Sequence, residues 1–142
     1  MRKLLIIVVV LLAALAGASD KQESIESLKA RADQAHPKQQ VELFTRIAER
    51  QLDSVDHAYN GGTVRDAREA LADVVTYSVK AAHVASGSGK RMKQTEIALR
   101  KISERLEAIR KTLEVDDRPP LADAIQKIES ARSELLNRMF RK

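Results

Sequence analysis

MKQTEIALRKISERLEAIRKTL, residues 92–113, is the stretch that decides the fold. Met92, Thr95, Leu99, Ile102, Leu106, Ile109 and Leu113 follow one another at spacings that alternate between 3 and 4. An α-helix turns once every 3.6 residues, so this series keeps one face along its whole length. Sustained over three repeats it is a heptad seam, and a heptad seam needs a helical partner. No stretch of the chain alternates apolar and polar residues over the length of a strand, so an all-α fold is expected.

Working outward, the segment around the seam runs from about Lys90 to Glu114. Asp116-Asp117-Arg118-Pro119-Pro120 ends it, because a residue before proline is pushed out of helical geometry. The last helix then carries Leu121, Ile125, Ile128, Ala131, Leu135 and Met139 on one face. On the other side, Ser86-Gly87-Ser88-Gly89 reads as a flexible linker. Before it lies a segment that Thr63 can cap, running to about Ala85, with an alanine-rich stripe through Ala67, Ala70, Leu71, Val74, Ser78 and Ala81. Asn60-Gly61-Gly62 separates this segment from the one before it, about Pro37 to Asn60, whose stripe includes Val41, Phe44, Ile47, Leu52 and Val55. The three-residue connection folds the two into an antiparallel hairpin. A shorter first segment, about Asp20 to Ala35, has Ser19 as its cap and Ile25, Leu28, Ala32 and Ala35 on one face. Pro37 is expected to open the second helix, the alternative being one kinked helix through it. The four long segments have matched lengths of roughly 30–38 Å at about 1.5 Å per residue. The expected architecture is an up-down antiparallel bundle of four long helices plus the short N-terminal one.

The N-terminus reads MRKLLIIVVVLLAALAGASD. Arg2 and Lys3 precede an apolar run of 12 residues, Leu4 to Leu15, and Ala16-Gly17-Ala18 supplies the small residues of a cleavage site. That is the layout of a secretory signal peptide over residues 1–18. The run is short of the roughly 18 residues of a membrane span, although retention as an anchor is the alternative. Residues 19–142 then form a single domain, and the expected location is extracytoplasmic, periplasmic or secreted. The chain has no cysteine, so neither a disulfide nor a thiol-linked lipid can hold this domain, and helix packing must.

The segment Ala58-Tyr59-Asn60-Gly61-Gly62-Thr63-Val64-Arg65-Asp66-Ala67, followed by Leu71, resembles a tetratricopeptide unit over about residues 41–80. Gly62, Val64, Ala67 and Leu71 match the pattern, and no second copy follows at that family's period of about 34 residues. The resemblance implies a protein-binding groove. The whole chain is similar in type to small exported helical proteins of bacteria.

Chemistry is sparse in the residues. No serine sits in a Gly-x-Ser-x-Gly elbow, and Gly87-Ser88-Gly89-Lys90-Arg91 follows a helix where a phosphate loop follows a strand. No catalytic residue is expected, and no cofactor. For metals, no Glu-x-x-His pair of the bundle type occurs. The hairpin places residue 83 opposite residue 40, which makes Asp33, His36 and His83 the candidate metal ligands. The net charge is +5, and the basic excess lies in the C-terminal half. There Lys90, Arg91 and Lys93 open the seam helix at its positive dipole end, an arrangement that favours an anionic partner. Opposite charges four apart, such as Glu96 with Arg100 and Glu107 with Lys111, are expected to pair along the helix. Four aromatic residues and no tryptophan argue against a single-stranded nucleic-acid site. No small-molecule substrate is indicated either. The expected function is a non-enzymatic envelope interaction or scaffold module, a monomer that binds another envelope protein and is recognised by a leftover apolar strip. The alternative is a binding module for an anionic surface or a metal ion.

Overall fold

The computed structural model describes residues 23–141. The leader expected over 1–18 and the helix start expected at Asp20 lie outside the described residues. Among the described residues the chain is all-α: α1 Ile25–Gln34, α2 Pro37–Asn60, α3 Val64–Ser88, α4 Met92–Thr112 and α5 Pro119–Phe140. A 3-10 turn, Val115–Asp117, joins α4 to α5, and no strand is present among these residues.

Local chemistry accounts for the boundaries. Ser24 caps α1, its hydroxyl oxygen accepting the Ser27 N–H at 3.1 Å, while the cap expected at Ser19 lies outside the described residues. Ala35 and His36 are extended, with ψ of 155° and 156°, so the chain breaks before Pro37 instead of kinking through it. Pro37 opens α2, where its missing N–H costs nothing. α1 folds back along α2: Gln40 Nε2 donates to the Ala32 carbonyl at 3.0 Å, and Arg50 donates to the Glu23 carbonyl. Gly62 turns the chain into α3 at φ 77°, a left-handed conformation that glycine adopts without a Cβ penalty. α2 and α3 make the closest helix pair of the fold. Ala67, Ala81 and Ala85 are fully buried on α3 and allow that approach, and the Phe44 and Tyr77 rings meet across it in a tilted arrangement with centroids 5.6 Å apart.

The expected linker at residues 86–89 is corrected. Ser86, Gly87 and Ser88 continue α3, and only Gly89, at φ 70°, ends it. The Ser88 hydroxyl donates to the Val84 carbonyl at 2.6 Å and accepts the Lys90 N–H at 3.2 Å, which closes the turn locally. A glycine inside a helix costs only about 1 kcal/mol relative to alanine, so Gly87 does not interrupt a helix that packing supports. α4 accordingly begins at Met92 and ends at Thr112, inside the expected Lys90–Glu114.

The seam that suggested the fold is spent within the chain. Thr95, Leu99, Ile102, Leu106 and Ile109 are buried, with Met92 and Leu113 half-buried at its ends. α5 packs on both α3 and α4, placing Leu121, Ile128 and Leu135 in the core, while α4 touches α2 and α3 over a smaller area. One cluster of buried residues joins all five helices, and a smaller one of Val41, Ala85 and Leu135 closes one end of the bundle.

Candidate protein-binding groove

α3 carries two apolar strips. The first, Ala67, Ala70, Leu71, Val74, Ser78, Ala81 and Ala85, faces the core and was legible at spacings of 3 and 4. The second runs through Ala72, Val75, Val79 and Ala82, at spacings of 3, 4 and 3. It is turned toward α5: Ala82 is buried there in the core, while Ala72 is exposed and Val75 and Val79 are half-buried beside open space. A groove of about 810 Å³ lies between Val79, Ala82 and His83 of α3 and Gln126, Ser130 and Ala131 of α5. A second stretch, of about 400 Å³, continues it between Ala72, Val75 and Thr76 of α3 and Pro120, Asp123 and Ala124 of α5. Lys127 lines both. The rim is charged: Arg68, Lys127 and Arg138 stand among Asp123 and Glu134. From Arg68 to Gly87 the α3 wall is about 30 Å long at 1.5 Å per residue.

The walls are fastened to the rest of the protein by polar links between helices. Arg132 on α5 donates through Nε to Glu96 on α4 at 2.8 Å and through Nη1 to Glu129 at 2.9 Å. Those bonds raise the guanidinium pKa. Asp73 on α3 accepts from Lys29 of α1 at 2.8 Å and from Gln51 of α2 at 2.7 Å. Among the described residues Glu96 therefore pairs with Arg132 instead of Arg100, and Glu107 pairs with Arg110, three along, instead of Lys111. Tertiary partners and a shorter helical reach replace the expected four-residue pairs.

The chain matches no family model, no curated protein and no solved structure. Its own geometry is the guide to what it does.

The candidate metal ligands are not gathered. Among the described residues no three His, Cys, Asp or Glu side chains form a group that could hold a metal ion. Asp33 and His36 are exposed at the α1–α2 break. His83 stands on the outer ridge of α3, where it lines the groove on one side and a smaller apolar recess beside Phe44 and Gln40 on the other. The candidate anion-binding trio is divided. Arg91 Nη1 pairs with Glu42 of α2 at 3.0 Å, while Lys90 and Lys93 point to solvent with no ion pair among the described residues. No helix among the described residues is long and apolar enough to cross a membrane.

Burial and the Asp73 contact set the protein's response to alkali. The hydrogen bond to Asp73 raises the Lys29 pKa above 10.5, and burial raises both Tyr59 and Tyr77 above 10.0. Each group binds its proton more tightly folded than unfolded, so its contribution is complete below the unfolded pKa and is lost as pH climbs through the folded one. The melting temperature is expected to begin falling above pH 10.0. A melting series over alkaline pH checks this, and a rise in stability above that pH would contradict it.

Proposed function

We propose that the protein is a non-enzymatic interaction module of the cell envelope that seats an amphipathic helix of a partner protein between α3 and α5. The observation that carries this reading is the second apolar strip of α3, left open along a groove with a charged rim. An apolar floor supplies area and a mixed-charge rim supplies orientation, the arrangement by which a groove takes up the apolar face of a helix. The tetratricopeptide-like turn at Gly61-Gly62 points toward the same kind of role.

The reading includes export directed by residues 1–18, a monomeric working state and an up-down arrangement of the four long helices. The ion pairs support that arrangement: Glu42 with Arg91 and Asp53 with Arg105 advance together along α2 and α4, as parallel alternate helices of such a bundle would.

The test is to obstruct the groove without touching the core. Val79→Glu and Ser130→Arg place charge and bulk over its floor. Complexes purified from an exporting host are compared by quantitative mass spectrometry, with melting curves as the check on folding. A protein that co-purifies with the natural chain is expected to fall at least tenfold with either variant. Undiminished co-purification with both variants folded would remove the groove from the account.

A further inference from the structure

One end of the bundle, which meets the groove at Arg138, gathers a second set of residues. The smaller buried cluster, Val41, Ala85 and Leu135, draws the start of α2, the end of α3, the start of α4 and the end of α5 to one end of the bundle. Met92 and Met139 pack against it, and Arg138 Nε donates to the Ser86 carbonyl at 3.4 Å. Residues that are distant in sequence thereby share one surface.

Four cations crown that surface. Lys90, Lys93, Arg138 and Arg141 are exposed, and none makes an ion pair among the described residues. The carboxylates near this end are Glu42, committed to Arg91 at 3.0 Å, Glu96, committed to Arg132 at 2.8 Å, Glu134, one turn back from Arg138 without pairing to it, and Asp33, exposed at the α1–α2 break. Neither α2 nor α4 has an acidic residue in its first turn to offset the positive dipole end. Phe140, between Arg138 and Arg141 in the chain, has 76% of its surface exposed. Leaving a phenylalanine in water is costly, and placing one beside cations has a physical use where an apolar layer lies beneath an anionic one.

We propose that this end of the bundle docks on an anionic lipid surface, with Phe140 entering the headgroup boundary and Lys90, Lys93, Arg138 and Arg141 lying over anionic headgroups. The inference shares Arg138 with the rim of the groove between α3 and α5, while Lys90, Lys93, Phe140 and Arg141 lie outside that groove. Lipid is favoured over a nucleic acid because the patch holds one aromatic residue at its tip and no stacking series. It is favoured over an acidic protein because an exposed apolar side chain, Phe140, stands beside the cations Arg138 and Arg141 at the end of α5. The attraction is the sum of modest contributions. A Lys or Arg near an anionic leaflet contributes about a fivefold gain in partitioning, and the total weakens with salt.

Sedimentation with vesicles of phosphatidylcholine, with and without phosphatidylglycerol, tests the proposal on the protein purified from an exporting host. Any apolar contribution from the N-terminal residues is common to both vesicle types, so the difference between them reads the protein's cations, and the single variants assign it to this end. The natural chain is expected to bind phosphatidylglycerol vesicles at least tenfold better at physiological salt. Lys93→Gln and Arg141→Gln should each reduce that preference about fivefold. Phe140→Ser should weaken binding at least fivefold with the charges intact. Arg65→Gln, beside the α2–α3 turn, and the groove variants Val79→Glu and Ser130→Arg should retain the preference. Equal binding to both vesicle types overturns the proposal. So does a preference that Phe140→Ser leaves unchanged while heparin or single-stranded DNA competes fully, since the end would then be a general polyanion site.

Discussion

Truncating Leu106 to alanine is expected to lower the unfolding free energy by about 2–5 kcal/mol. Leu106 is 0% exposed at the middle of the α4 seam, within the main cluster that joins all five helices. The lost transfer energy of the side chain and the cavity left behind act together, and neighbours such as Leu99 and Ile102 sit on a helix that cannot collapse into the space alone. Leu106→Met keeps the volume and should cost less than about 1.5 kcal/mol. Leu113→Ala, at the half-buried end of the same seam, should fall well short of Leu106→Ala. Urea denaturation with a common slope for the set checks the ranking. Equal costs at Leu106 and Leu113 would mean that α4 is not packed as described.

The second large effect is expected at Arg132. Replacing it with methionine keeps most of the stem and removes the guanidinium that bridges Glu96 and Glu129. The Glu96 side chain is only 13% exposed, so its carboxylate would be left with little water and no cationic partner. Hydrogen bonds to a charged group are worth about 1.5–3 kcal/mol, and losing one partner leaves the other's desolvation uncompensated. We expect Arg132→Met to cost about 2 kcal/mol, and the double substitution with Glu96→Leu to recover part of it. A double-mutant cycle in urea measures the coupling. The exposed pair of Arg65 and Glu69, 3.5 Å apart on α3, should show almost none.

The contrast between these two sites explains what the residues announce. The α4 seam was legible because one pattern, apolar residues at spacings of 3 and 4, has one structural meaning when it persists for three repeats. The breaks at Pro37 and Gly62 were legible for a similar reason, since proline and glycine act locally on φ and on the N–H. Pro119-Pro120 opens α5 but does not end α4: α4 stops at Thr112, where Leu113 and Glu114 turn extended, and Arg118 before Pro119 keeps helical dihedrals, contrary to the expectation for a residue before proline. The end of α3 was not, because Ser86-Gly87-Ser88 has a weak local preference that packing on α5 and the Ser88 hydroxyl bonds override. The Arg132–Glu96 link was hidden by its separation of 36 residues along the chain, while a plausible local partner, Arg100, stood four residues away.

The groove shows a subtler limit. Ala72, Val75, Val79 and Ala82 carry the same helical period as the core strip beside them. On a helix so rich in alanine and valine, two adjacent strips merge into one broad apolar face. Which strip is covered depends on where α5 lies, and that is tertiary information. The basic end is similar: Lys90 and Arg91 adjoin in the chain, yet Glu42 takes up Arg91, while Arg138 and Arg141 arrive from the far terminus.

The claim that the groove seats a partner helix is tested most directly by photo-crosslinking along it in intact exporting cells. A photoreactive residue is placed in turn at Ala72, Gln126 and Ser130, with Glu104 on the exposed face of α4 as the comparison. The account predicts adducts with one and the same protein from all three groove positions, attached at points spaced by helical turns along a single segment of it, and none with that protein from Glu104. Adducts with that protein from Glu104 alone, unrelated proteins from the three groove positions, or no adduct from any of them would contradict it.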